Sequence, residues 1–200
     1  MKKIYILVFL LACAVTVWAQ EDFSKNLADA RSAYASGNLN DARFAMEQMM
    51  REIDMALGKE ILKMLPTTLD DRVANEENDD VNGSTAGLAM GLYVHRSYGT
   101  DKLAMVDIIN NSPLINSISA LLAIPFLGNS GDSNQKVVKV QGYKSLLTKL
   151  EDSTTGQVDY EMQIPFNNTL FTFKVDDTSE ADIIRLADTL PLGQIAQIAQ

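Results

Sequence analysis

The sequence predicts an α+β fold, with an N-terminal αα-hairpin followed by an antiparallel sheet that has helices packed on it. Three observations carry this reading. Apolar residues recur at helical spacing from Phe23 to Met64. From Ala86 to Val175, runs rich in Val, Ile, Tyr, Phe and Thr lie between turn signals, as strands do. Ser112 and Ser179 then mark two helix starts among those runs. Strand runs joined by turns, with few helices between them, favour an antiparallel sheet over a parallel one.

Each element follows from its residues. Phe23, Leu27, Ala30 and Tyr34 form the stripe of a first helix, which Gly37-Asn38 stops. Asn40 or Asp41 can cap the second, placing acid at the positive end of its dipole. Ala42, Met46, Met49, Ile53, Leu57, Ile61 and Met64 continue that helix until Pro66 closes it. Residues 66–85 are polar and acidic, so they read as a linker or exposed loop with the domain boundary near Pro66. Ala86–Tyr98 and Leu103–Ile109 form a hairpin about Gly99-Thr100-Asp101. Ser112-Pro113 opens a helix over Leu114–Ile124, with serine as cap and proline in the first turn. Lys136–Val140 is a strand, and Gly142–Leu150 is a strand or short helix. Val158–Pro165 and Thr169–Val175 are strands joined through Asn167-Asn168. Ser179 caps a last helix from Glu180 to about Thr189, and Gln194–Gln200 adds a weak helical turn.

The start of the chain gives an address. Met1-Lys2-Lys3 is a basic opening, Ile4–Val17 an uncharged apolar run, and Val17-Trp18-Ala19 a small-residue cleavage site. Residues 1–20 therefore read as a signal peptide. Such a run is short of the ~20 residues needed to cross a bilayer core. A second reading stands beside cleavage after Ala19. Leu10-Leu11-Ala12-Cys13 resembles a bacterial lipobox, whose acylated cysteine would anchor the protein to a membrane. Cys13 is the one cysteine, so a chain cut after Ala19 has neither disulfide nor thiolate chemistry. It must be held by its core, and 46% hydrophobic content suffices for one. The formal charge of −9 repels phosphate backbones, so no nucleic-acid partner is expected.

Two resemblances add to this. Ala33-Tyr34, Gly37, Leu39, Asp41 and Ala42 resemble one tetratricopeptide unit, without a second copy to build a solenoid groove. Leu65-Pro66, Ser97-Tyr98, Val106–Leu114, Val138–Lys144, Phe171–Val175 and Ser179–Asp182 resemble a group of exported bacterial proteins without assigned function. The strand order is similar to the PsbP-like sandwich. That resemblance implies an α+β sandwich in an accessory or binding protein, and it supplies no catalytic residue.

Candidate chemistry is sparse. Asn78, Asp80 and Asn82, followed by Gly83, have the alternating oxygen rhythm of a calcium loop. The twelfth position is Ala89, where a bidentate Glu is required, so a solvated acidic loop is the better reading. His95, the one histidine, lacks a nucleophile-elbow pattern to pair with. The paired carboxylates at 70–71, 76–77, 79–80 and 176–177 fall in loops or strand ends. No phosphate-cradling glycine loop occurs. Two apolar stretches are the partner-binding candidates: Met46, Met49 and Met50 on the hairpin, and Leu114, Ile118, Leu121 and Leu122 further on. The expectation is an exported, non-catalytic binding or accessory protein of the bacterial cell envelope, periplasmic or secreted. It would have no cofactor and take a protein or small-ligand partner. The alternatives are a calcium-dependent binding module and a hydrolase built on His95.

Overall fold

The structure, a computed structural model, describes residues 22–84, 91–124 and 134–199. Residues 1–20, read from the sequence as a signal peptide and including Cys13, lie outside them, as do Ala89 and Pro125–Leu127. A first helix, α1, covers 22–35. Gly37, at φ 79°, makes the turn. The second helix, α2, is Leu39–Met64, capped by Asn38, whose side-chain oxygen accepts from the backbone N–H of Asp41. The cap thus lies two residues before the earlier expected position. Asp41 occupies the first turn, where acid suits the dipole.

The 66–85 stretch is more structured than a linker. It contains a small hairpin, β1 (Thr68–Leu69) with β2 (Arg72–Val73), a 3-10 turn over Glu76–Asn78 and a strand, β3 (Asp80–Asn82). β3 is the edge of the main sheet. The other strands are β4 (Tyr93–Tyr98), β5 (Ala104–Asn110), β6 (Gln135–Val140), β7 (Tyr143–Glu151), β8 (Val158–Phe166) and β9 (Thr169–Val175). The seven lie in the order β3-β4-β5-β9-β8-β7-β6, each antiparallel to its neighbours. Residues 142–150 thus resolve to strand. Helix α3 (Ile115–Ala123) lies on the connection from β5, in the middle of the sheet, to β6 at its far edge. Two further helices follow β9: α4 (Glu180–Ala187), capped by Ser179, and α5 (Leu192–Ile198).

Alternation along the strands sorts the sheet into two faces. Val94, Val106, Ile108, Phe171, Phe173, Met162, Ile164 and Leu147 point to one and are buried. Ile61 and Leu65 from the end of α2, Ile183 and Leu186 from α4, and Leu192 and Ile195 from α5 pack against them in one core. The core therefore crosses Pro66, and no boundary separates the hairpin's C-terminal half from the sheet.

Arg96 ties these parts together. It is 5% exposed on the core face. Its guanidinium pairs with Asp79, with Nε donating to Oδ1 at 2.9 Å, and Nη1 donates to the carbonyls of Leu62 and Leu65 at 3.0 and 3.4 Å. Those carbonyls are among the unpaired acceptors at the end of α2. One buried cation thus closes a helix, fixes the approach to β3 and sits on β4.

Candidate ligand-binding face

The other face of the sheet is divided. At one end α3 covers it: Ile118 and Leu122 are buried with Leu146 and Leu170, and Ile115, Leu121 and Val137 pack beside them. Of the apolar partner candidates, then, Ile118 and Leu122 serve as core, Leu121 is half-buried, and Leu114 remains exposed. On the hairpin, Met46 and Met50 are exposed and Met49 is half-buried.

The rest of this face is polar. Register sets Asp80, His95, Asp107, Thr172 and Gln163 side by side across β3, β4, β5, β9 and β8. The row above holds Asn82, Tyr93 and Ile109; the row below holds Ser97, Met105, Lys174 and Glu161. Asp107 is the centre. Its Oδ1 accepts from the Tyr93 hydroxyl at 2.8 Å and meets His95 Nδ1 at 2.8 Å. The Tyr93 and His95 rings stack, with centroids 6.4 Å apart.

The chemistry follows from these contacts. Burial first, then the hydrogen bond to Asp107, raises the Tyr93 phenol above its usual value, so it stays a donor at neutral pH. A carboxylate beside Nδ1 favours the tautomer that carries its proton there, which leaves Nε2 as acceptor. Among the described residues no hydroxyl or thiol bonds Nε2. His95 and Asp107 are 23% and 28% exposed, so the pair is partly shielded yet reachable. Burial raises the Glu161 carboxyl as well, against the opposing pull of Lys174. Lys174 is itself engaged by Asp176 at 2.9 Å and Asp159 at 3.3 Å.

The structure brings two of the three calcium candidates to this face. Asp80 pairs with His95 and Asn82 with Tyr93, while Asn78 ends the 3-10 turn. The Asn82 amide donates to both Asp80 oxygens at 2.9 Å. Among the described residues no three His, Cys, Asp or Glu side chains converge as metal ligands, and no helix is long and apolar enough to cross a membrane. Asp107, Tyr93 and Glu161 were not singled out in the sequence. A signal for Asp107 existed, because a hairpin turning about Asp101 sets residue 95 opposite 107. Set against protein-family models, curated proteins and solved structures, the chain matches none of them.

Proposed function

We propose that the protein is an exported, non-catalytic binding protein of the bacterial cell envelope, whose polar sheet face takes up a small, donor-rich ligand. One observation carries the reading: Asp107 Oδ1 meets both the Tyr93 hydroxyl and His95 Nδ1 at 2.8 Å, which favours the tautomer with Nε2 as acceptor, and among the described residues no hydrogen bond engages Nε2. Asp80 and Nε2 are acceptors, and Thr172 and Gln163 accept as well as donate, so the row favours a neutral polyol or a primary amine over an anion. No nucleophile stands beside Nε2 among the described residues, which supports binding over hydrolysis. The basic and apolar opening of the chain, with its small-residue end, supports export.

Amide chemical shifts report binding directly. Titration of polyols and primary amines should move resonances of β4, β5 and β9, and D107N should weaken the response about tenfold, the loss of one or two charge-assisted hydrogen bonds. Shifts scattered over the surface, or unchanged in D107N, would sink the site. Sequencing the N-terminus of envelope-extracted protein tests the address. Gln20 or an acylated Cys13 supports export, and an intact Met1 refutes it.

A further inference from the structure

We infer that the α1–α2 arm is a self-association surface, which meets the same arm of a second copy as a four-helix bundle. The inference is independent of the polar sheet face. Along α2, Leu39, Arg43, Met46, Met50, Ile53 and Leu57 recur at alternating intervals of four and three residues. That is the 3.5-residue period of a helix seam that packs against another helix. Leu39, Met46, Met50 and Ile53 are exposed, at 62%, 60%, 52% and 40%, and Leu57 joins the core where α2 reaches the sheet. On α1, the exposed Leu27 and Tyr34 are seven residues apart.

The two stripes share one side of the arm. Ala30, Ala42 and Ala45 are buried where the helices touch. Asn26, Asp29, Ser32 and Ala33 line the groove on one flank with Asp41 and Phe44. Helical geometry at 100° per residue therefore sets Leu27 and Tyr34 on the opposite flank, together with Leu39, Met46, Met50 and Ile53. The result is an apolar face two helices wide, backed by a mainly polar groove in which Phe44 is also exposed.

Width and spacing identify the occupant. Residues 39–57 rise about 27 Å, and two helices side by side span about 20 Å, so the footprint is roughly 500 Å² per copy. Two such faces reach about 1,000 Å² in total, the least that a specific pairing requires. A single helix laid on α2 would bury about half of that. The occupant must therefore be two helices wide, and a second arm is. Antiparallel pairing of the two α2 seams about a two-fold axis sets Met46 against Met50, Leu39 against Leu57, and Arg43 against Ile53 of the second copy. Arg43, the one charged residue in the seam, already pairs with Glu47 of its own helix at 2.8 Å, so it enters the contact compensated. Antiparallel arms also keep the two sheets at opposite ends.

The test uses the chain from Glu21 onward, which contains every described element. Sedimentation velocity should show a dimer at micromolar concentration. M46E/M50E should sediment as a monomer with an unchanged far-UV spectrum, since both side chains are exposed. M46K should weaken the dimer about tenfold, and M46K/M50E should regain most of the loss if the antiparallel register sets position 46 against position 50. A monomeric parent chain, a dimeric M46E/M50E variant, or no recovery in M46K/M50E would overturn the inference.

Discussion

Arg96 shows how much one side chain can hold. Its charge is buried, but every direction is answered: Asp79 takes two donors, and the last carbonyls of α2 take the third nitrogen. Removing Asp79 leaves the guanidinium buried and half-paired, so D79N should cost about 3 kcal/mol, read from the urea midpoint. Replacing Arg96 by Met should cost at least as much, because it strands the Asp79 carboxylate and the carbonyls of Leu62 and Leu65. Glu161 makes the opposite case. Its folded pKa lies above the ordinary 4.5, and burial is the first cause. Between those values the folded chain holds the extra proton, so stability falls as pH rises through that window. E161Q should therefore raise the melting temperature at pH 7 and leave it unchanged at pH 4. Asp70 runs the other way. Arg185, donating to it at 2.9 and 2.6 Å, holds the carboxyl below 3.8. Its small, exposed contribution is present at neutral pH and is lost as pH falls through that lowered value.

At the scale of elements, helix α2 owes its position to a missing side chain. Gly58 is buried where α2 crosses the sheet. A Cβ there would overlap Val81 Cγ1 and come within 3.0 Å of Leu92 Cδ1 and 3.2 Å of Val94 Cγ2. Ala is the better helix former by about 1 kcal/mol in an exposed position. Here G58A should instead destabilise by about 1–3 kcal/mol, because the helix must lift from β3 and β4. Elements with one buried face were legible in the sequence. Ala104, Val106 and Ile108 alternate with Met105, Asp107 and Ile109, and the strand follows. β3 was not legible. Asp80-Val81-Asn82 is short and polar, and the contacts that make it a strand come from β4 and from the Asp79–Arg96 pair. The polar face was half legible for the same reason: each residue is visible alone, and register alone makes them neighbours. Asp107 reads as the polar side of a strand until His95 is set across from it.

On the scale of the molecule, the described residues form one main core, a smaller cluster under α3 and an arm. Ile61 is fully buried against the sheet, so I61A should cost about 2–5 kcal/mol in chemical denaturation. The separation into a hairpin and a sandwich at Pro66 had a sound local basis, because Pro66 does end the helix and the residues after it are acidic. It missed that the last two turns of α2 belong to the sheet's core. A chain of residues 66–200 should consequently show no cooperative thermal transition, having lost Ile61, Leu65 and the carbonyls that Arg96 holds.

The strand order also sets a timetable. β9, the last of the seven strands of the sheet in chain order, lies between β5 and β8 at the centre of the sheet. A chain emerging N-terminus first makes β3, β4 and β5 early, yet the free edge of β5 has no neighbour until Thr169–Val175 appears. Over that interval the backbone of Ala104–Asn110 is an open template for any other extended chain. The protein is thus most vulnerable to aggregation before Thr169–Val175 is made, and a carrier that shields β5 during that interval would serve it better than one that recognises the finished fold.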